Sequence, residues 1–173
     1  MTAEQPRDDF NQATDPAATQ TMLALCGSPN WVAQMCAARP FDSADSLHST
    51  ADKIFDGLVR EDWLAAFAHH PKIGDMESLK AKYAGNKAWS GGEQSGVDSA
   101  DDKTLLALSK GNEDYETRFG YIFIVCASGK SADEMLQLLQ ARLGNEPKDE
   151  LLIAAAEQRK ITHLRLDKWL QES

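Results

Sequence analysis

Hydrophobic residues recur at three- and four-residue steps along most of the chain, the spacing that places side chains on one face of an α-helix. One such stripe consists of Leu47, Ala51, Ile54, Phe55 and Leu58. A second stripe, just before two adjacent histidines, consists of Trp63, Leu64, Phe67 and Ala68. The pattern predicts an all-α fold, a single compact domain of about seven to nine helices.

Helix boundaries are marked by residues that cap the backbone at helix ends. Ser28-Pro29 has the order of an N-cap followed by the first helical position. Ser131 and Glu134 have the spacing of a capping box, and Gly144 is placed to end the helix that this box begins. These local signals predict where helices start and stop.

Three stretches depart from the helical pattern. Residues 1–9 are polar and predicted to be disordered, which leaves residues 10–173 as the helical domain. Residues 85–103 are rich in Gly, Ser and Asp, and are predicted to be a loop that leads into, or interrupts, a short helix. The run YIFIVCA, 121–127, is short, apolar and β-like. Because one strand cannot form a sheet, this run is predicted to be an extended connector packed against helices.

The charge and the cysteines restrict the class of protein. The chain has 173 residues and a formal net charge of −9. An acidic surface argues against nucleic acid and anionic membranes as partners, because both bind clustered Lys or Arg. Neither a secretory signal nor a membrane span is recognisable. The three cysteines form no CxxC pair, so neither a disulfide framework nor a thiolate zinc site is indicated. These features predict a soluble cytoplasmic protein.

His69 and His70, followed by Pro71, are the first candidates for chemistry. In one interpretation both are ordinary helix-end residues that interact with the helix dipole. In the other, Pro71 ends the helix and leaves one imidazole in a pocket as a general acid or base. The sequence HHP lacks the i, i+4 spacing of a helical zinc site, so a metal is not favoured.

The polar segment WSGGEQSG, residues 89–96, is the second candidate. By composition it is an exposed loop. It contains neither a GxSxG nucleophile turn nor a phosphate-binding loop. Glu93 and Gln94 together offer an anionic acceptor and an amide that donates and accepts, which suits a ligand with alternating NH and C=O groups.

Arg165 is the third candidate. It recurs at four-residue steps with Glu157 and Ile161, so the three residues share one face of the last helix. Ile161 is expected to be buried, which would place Arg165 near the edge of the core. Arg165 can belong to a surface ladder of Glu and Arg, or its planar guanidinium can bind a carboxylate or carbonyl of a ligand.

The order of these motifs resembles the OHCU decarboxylase family, where OHCU is 2-oxo-4-hydroxy-4-carboxy-5-ureidoimidazoline, an intermediate of urate breakdown. The matching pieces span residues 10 to 170 and are WV..M...RPF at 31–41, HPKIGD at 70–75, S..EQ at 90–94, FGYIFIVCASG at 119–129 and E...I...RL at 157–166.

The resemblance implies an all-helical enzyme that uses neither metal nor organic cofactor, converts OHCU into (S)-allantoin with loss of CO2, and often forms a homodimer. By motif position it implies that His70 is the catalytic histidine that transfers a proton. It also implies contacts with the small-molecule substrate from Pro71, Ser90, Glu93, Gln94 and Arg165. Backbone contacts are expected from Ile124, Val125 and Cys126.

Within the implied site we expect three catalytic groups. His70 transfers the proton, Glu93 holds the substrate hydroxyl or a ring NH, and Arg165 pairs with a substrate oxygen. Two alternatives remain open at this point. One is a helical binding protein that has the fold without the chemistry, and the other is a cofactor-free lyase or hydrolase acting on a related hydantoin.

Overall fold

The computed structural model describes residues 4–72, 76–84 and 94–172. These residues form nine helices, and no strand occurs among them. The predicted all-α class and the predicted number of helices are therefore confirmed. The helices are α1 Glu4–Gln12, α2 Asp15–Leu23, α3 Pro29–Ala37, α4 Ala44–Asp56, α5 Arg60–Ala68, α6 Met76–Ala84, α7 Gln94–Phe119, α8 Ala132–Leu143 and α9 Pro147–Gln171.

The chain divides into two compact units, and neither is continuous in sequence. Unit 1 consists of Met1–His70, Ile124–Cys126 and Ala155–Ser173. Unit 2 consists of Pro71–Phe123 and Ala127–Ala154. The domain boundaries given by the sequence, 1–9 and 10–173, stay a prediction.

The helix ends follow the local signals closely. Ser28 Oγ accepts a hydrogen bond from the backbone N–H of Trp31 at 3.3 Å, as an N-cap should. Ser131 Oγ accepts from the backbone N–H of Glu134 at 3.2 Å. Gly144 is the C-cap of α8. The caps predicted at these three positions are confirmed. Sequence alone can predict a cap because it depends on residues within one turn.

Helix α1 lies where the polar composition predicts a disordered start. Phe10 is 2% exposed, and its ring meets those of Phe41 and Trp169 at centroid distances of 6.1 and 5.9 Å. Arg7 Nη1 donates to the backbone oxygen of Asp42 at 2.8 Å. Partners more than thirty residues away in sequence thus hold α1, and local composition does not reveal them.

Helix α7 also begins earlier than the sequence predicts. It starts at Gln94, inside the stretch 85–103 that was predicted to be a loop. The helix packs on α6 and α8 within unit 2. Gly111 of α7 approaches α8 so closely that a Cβ there would lie 2.5 Å from a methyl carbon of Leu139. Tertiary packing of one long helix thus overrides the weak helix propensity of its Gly- and Ser-containing first turns.

Residues 121–127 form neither a helix nor a strand, which agrees with the predicted connector. Within unit 1, Ile124 of this connector is 2% exposed. The backbone N–H of Cys126 donates to Glu157 Oε1 of α9 at 3.2 Å. An apolar side chain and a side-chain acceptor from α9 therefore replace the sheet partner that a lone strand would need.

Unit 2 contains a buried ion pair between Arg142 of α8 and Glu150 of α9. Arg142 Nη2 and Nε lie 2.5 and 2.9 Å from Glu150 Oε2. Glu150 is 0% exposed and Arg142 is 7% exposed. The Tyr115 hydroxyl of α7 donates to the same carboxylate oxygen. Burial, and then this hydrogen bond, raise the pKa of Tyr115 far above its ordinary value, so the phenol remains a hydrogen-bond donor.

In unit 1, two histidines connect α4 to α9. His48 Nδ1 lies 2.9 Å from His163 Nδ1, and the ring planes differ by 2° with centroids 5.0 Å apart. Rings in this arrangement meet edge to edge rather than face to face. His48 Nε2 lies 2.7 Å from Asp167 and His163 Nε2 lies 2.6 Å from Asp52. Because a carboxylate only accepts, each Nε2 atom is placed to donate a hydrogen bond to its carboxylate.

A double-mutant cycle with His48→Leu and His163→Leu is expected to give a coupling energy of about 1 kcal/mol, the usual size for side chains in direct contact. The reason is that either replacement removes the direct contact between the two Nδ1 atoms. Unfolding by urea, followed by circular dichroism, measures the four proteins. If the changes in unfolding free energy of the two single variants added up to that of the double variant, the two rings would not interact.

Helices α7 and α9 hold 26 and 25 residues. Even so, in the described part of the chain no helix combines the length and the apolar character that crossing a membrane requires.

Candidate active site

His70 lies just beyond the end of α5. The helix ends at Ala68, and His69 is its C-cap. The backbone N–H of His70 still donates to the carbonyl oxygen of Phe67 at 3.2 Å. The prediction of a helix that ends at the residue before Pro71 is therefore correct to within two residues. The imidazole of His70 projects from this final turn and is partly buried.

Both ring nitrogens of His70 face residues of α9. Nε2 lies 2.6 Å from Oε1 of Gln158. Nδ1 lies 3.4 Å from Nη2 of Arg165. All three residues belong to unit 1. The helix-end histidine is therefore held by an amide on one side and a guanidinium on the other.

Burial lowers the pKa of His70 below its ordinary value of 6.5. The hydrogen bond with Gln158 raises the pKa and so opposes this effect. The positive charges of Arg165 and His69 lower it further. The ring is therefore neutral at pH 7, the form in which an imidazole can accept a proton.

The His70 ring is expected to titrate in the folded protein with a midpoint below pH 6.5. The unfolded chain then binds this proton more tightly than the folded chain. The resulting stability is therefore complete above about pH 6.5 and is lost as the pH falls from there toward the folded pKa. NMR of the ring C–H groups measures the midpoint, and Arg165→Met should raise it by removing a positive charge. A wild-type midpoint at or above 6.5 would contradict this description of the site.

Arg165 is half-buried on α9, and its Nη1 donates to the backbone oxygen of Leu25 at 3.4 Å. Among the residues that the structure describes, no carboxylate pairs with its guanidinium. Glu157 does not form the surface ladder with Arg165 that the sequence left open, because its carboxylate binds the Cys126 N–H and Lys160 at 3.2 and 2.6 Å. Arg165 can therefore offer hydrogen-bond donors to an oxygen-bearing ligand.

The buried face of α9 lies one residue away from the face that the sequence predicts. Ile161, expected to be buried, is only partly so. The buried stripe of α9 in unit 1 consists of Ala155, Gln158, Thr162, Leu166 and Leu170. The prediction was wrong because it took Ile161 as the centre of the face, although the four-residue spacing that ends in Leu166 and Leu170 is also visible in the sequence.

Gln158 is the residue at this site that the sequence analysis missed. A glutamine is usually exposed, and this one is 0% exposed. Its position in register with Leu166 and Leu170 is the signal that could have revealed it. A polar residue on an apolar stripe needs a buried partner, and here that partner is His70.

The remaining predicted site residues are described only in part. Ser90 and Glu93 lie outside the described residues, and of Gln94 only the backbone at the start of α7 is described. Pro71 is exposed and belongs to unit 2.

Among the predicted backbone contacts, Ile124 and Cys126 are buried and Val125 is partly buried. The Cys126 N–H is engaged with Glu157. The described structure thus brings His70 and Arg165 together, and the roles of all the predicted site residues stay predictions.

A neutral imidazole beside a guanidinium, both on an all-helical frame, defines a candidate acid–base site for a small oxygen-bearing ligand. A sequence model of the family described as OHCU decarboxylase matches residues 11–167. Since this match covers most of the length of the chain, the chain belongs to the OHCU decarboxylase family.

Individual relatives agree with this assignment. The uric acid degradation bifunctional protein TTL of Arabidopsis thaliana is 38% identical over 145 residues, which are 83% of this chain and 44% of that protein. This chain thus spans less than half the length of that relative. The 2-oxo-4-hydroxy-4-carboxy-5-ureidoimidazoline decarboxylase of Amia calva is 31% identical over 145 residues, covering 83% of this chain and 81% of that protein.

The fold is similar to that of a solved structure of the same family. A crystal structure of OHCU decarboxylase in the presence of (S)-allantoin is 34% identical in sequence and has a TM-score of 0.71. The similarity covers 92% of this chain and 100% of that chain.

Proposed function

We propose that this chain is a carboxy-lyase that converts OHCU into (S)-allantoin and CO2 in urate degradation. Membership of the OHCU decarboxylase family supports the reaction class. The observation that carries the proposal is the neutral His70 imidazole, with Nδ1 3.4 Å from the Arg165 guanidinium. Together the two groups offer a proton acceptor and a donor fork for a substrate that bears a hydroxyl and a carboxylate.

The substrate supplies its own electron sink. Its carboxylate and hydroxyl share one ring carbon, which adjoins an imine-like carbon. When the bond to the carboxylate breaks, CO2 leaves and the electron pair forms a C=C bond, while the imine nitrogen takes up electrons and a proton. The resulting enol becomes a ring amide carbonyl when a proton adds to the former imine carbon and the hydroxyl gives up its proton. Addition on one face gives the S product, so the protein needs to orient the ligand and manage protons.

In this reaction His70 transfers the proton, and Arg165 pairs with a substrate oxygen. Burial keeps His70 neutral, so it can take the hydroxyl proton as the ring carbonyl forms. A guanidinium binds a carboxylate or developing oxyanion through two parallel N–H groups. We retain Glu93 as the group that holds the hydroxyl or ring NH, with Pro71, Ser90, Gln94 and the backbone of 124–126 as further substrate contacts.

Circular dichroism of freshly generated OHCU tests the proposed function. Uricase and hydroxyisourate hydrolase produce OHCU from urate, and the protein is then added. The expected result is faster loss of OHCU and an allantoin signal of the S sign, whereas spontaneous decay gives a racemate. No acceleration would favour a binding protein, and acceleration only with a related hydantoin would favour a different lyase or hydrolase.

We also propose a cytoplasmic location and a homodimer, with neither nucleic acid nor membrane as partner. All three cysteines lie among the described residues and none forms a disulfide, which suits a reducing compartment. Light scattering coupled to size-exclusion chromatography tests the dimer. A mass of 19.0 kDa, that of one chain, at micromolar concentration would rule it out.

A further inference from the structure

The amide of Gln158 is a fully buried polar group with a defined partner at each end. Its Oε1 lies 2.6 Å from His70 Nε2. Its Nε2 donates to Thr162 Oγ1 at 3.2 Å. On the same buried stripe Ala155, Leu166 and Leu170 are apolar, and Thr162 is the other polar residue. Packing alone therefore gives no reason for an amide at this position.

The Thr162 hydroxyl determines which end of the amide faces His70. The single hydrogen of this hydroxyl is donated to the backbone oxygen of Gln158 at 3.0 Å. Thr162 Oγ1 can therefore meet the Gln158 side chain only as an acceptor. The NH2 group of the amide must lie toward Thr162, and its oxygen toward His70.

The amide oxygen in turn selects the hydrogen position on the His70 ring. An amide oxygen only accepts, so His70 Nε2 carries the ring hydrogen. In the neutral ring, the lone pair is then on Nδ1. Nδ1 lies 3.4 Å from Nη2 of Arg165, so a substrate oxygen bound by the guanidinium would arrive next to this lone pair.

We propose that Gln158 is a positioning residue that holds His70 with its hydrogen on Nε2, so that Nδ1 is the nitrogen that exchanges a proton with the substrate. The part concerning the substrate rests on the proposed function. Thr162 acts one step further away, because it fixes the orientation of the amide. A chain of three buried or partly buried polar groups thus determines which face of the imidazole is reactive.

Two pairs of variants separate positioning from packing. Gln158→Leu keeps a side chain of similar size and removes the acceptor, whereas Gln158→Glu keeps an acceptor. Thr162→Val keeps the shape and removes the hydroxyl, whereas Thr162→Ser keeps the hydroxyl. Urea unfolding of each variant confirms that it is folded under the assay conditions.

The ring hydrogen of His70 can be located by ¹⁵N NMR of the protein without substrate. In the wild type and in Thr162→Ser, the Nε2–H form is expected to dominate. In Gln158→Leu, the spectrum should show exchange with the Nδ1–H form, because no acceptor selects Nε2–H any longer. A wild-type ring with hydrogen on Nδ1, or an unchanged ring in Gln158→Leu, would overturn the inference.

Kinetics with fresh OHCU provide the second readout. Gln158→Leu should lower kcat on the order of 10- to 100-fold, the size of effect known for losing the partner that orients a metal-binding imidazole. KM should change little, since Arg165 still binds the substrate. Thr162→Val should show a smaller loss of kcat that Thr162→Ser does not. Gln158→Glu should retain much of kcat and move the acid limb of the pH profile upward, because a carboxylate stabilises the imidazolium.

The two readouts distinguish the positioning role from the proposed function. If Gln158→Leu loses the tautomer preference but wild-type protein does not accelerate OHCU loss, then positioning stands and the proposed function fails. If the wild type decarboxylates OHCU and Gln158→Leu does so with the same kcat and pH profile, the function stands and positioning fails.

Discussion

Replacement of His70 by asparagine is expected to lower the rate of OHCU decarboxylation by about 10²- to 10⁴-fold, the usual contribution of general acid–base catalysis. Asparagine would occupy a partly buried position beyond the end of α5, so the fold should be retained. It has no lone-pair nitrogen of suitable basicity beside Arg165, so proton transfer should be lost. The measurement is kcat with freshly generated OHCU, corrected for spontaneous decay.

His69→Asn is the matched control, since it makes the same change one residue earlier. His69 is exposed, and its Cβ and ring pack against Gly27, where an added Cβ would lie 2.1 Å from the His69 Cβ. Asparagine keeps the Cβ, so this variant should retain nearly the wild-type rate. Equal losses in the two variants, or a wild-type rate in His70→Asn, would remove His70 from the proton-transfer role.

Glu150→Gln is expected to lower the free energy of unfolding by about 3 to 5 kcal/mol, the cost of leaving a buried charge without its partner. The substitution changes shape very little. It leaves the Arg142 guanidinium, 7% exposed, without the carboxylate that it contacts at 2.5 Å. Urea unfolding, followed by circular dichroism, measures the change.

Asp114→Asn makes the same carboxylate-to-amide change at an exposed pair. Asp114 and Lys110 of α7 lie 3.2 Å apart, with side chains 50% and 77% exposed. Solvent screens such a pair, so its loss should cost about 0.3 to 0.5 kcal/mol. If the free energy of unfolding fell by the same small amount in both variants, the pair of Arg142 and Glu150 would not be the buried interaction described above.

Features that depend on one turn of helix could be predicted from the sequence. The caps at Ser28 and Ser131 are confirmed, because a hydroxyl and an N–H three residues apart form a bond whatever the rest of the chain does. Helix α1 and the start of α7 at Gln94 could not be predicted. Helix α1 depends on packing against distant segments, and the start of α7 depends on the packing of one long helix. Local composition does not reveal either kind of packing.

In the candidate site, too, some residues could be predicted from sequence motifs and others depend on contacts between distant parts of the chain. Motif order identified His70 and Arg165, which are 95 residues apart and lie side by side in unit 1. Gln158 was missed because no motif includes it, and its role depends on the His70 ring being folded against α9. The sequence analysis also placed the buried face of α9 one residue away, at Ile161, so Gln158 was not expected to be buried.

That OHCU reacts beside the His70 imidazole is tested most directly by NMR of the four histidine rings while (S)-allantoin is added. The ring resonances of His70 should shift strongly and saturate, and those of His48 and His163 should not move. In Arg165→Lys the His70 shift should weaken, because an ammonium lacks the planar fork. Saturating (S)-allantoin that leaves His70 unchanged, or that moves His48 and His163 instead, would contradict the proposed site.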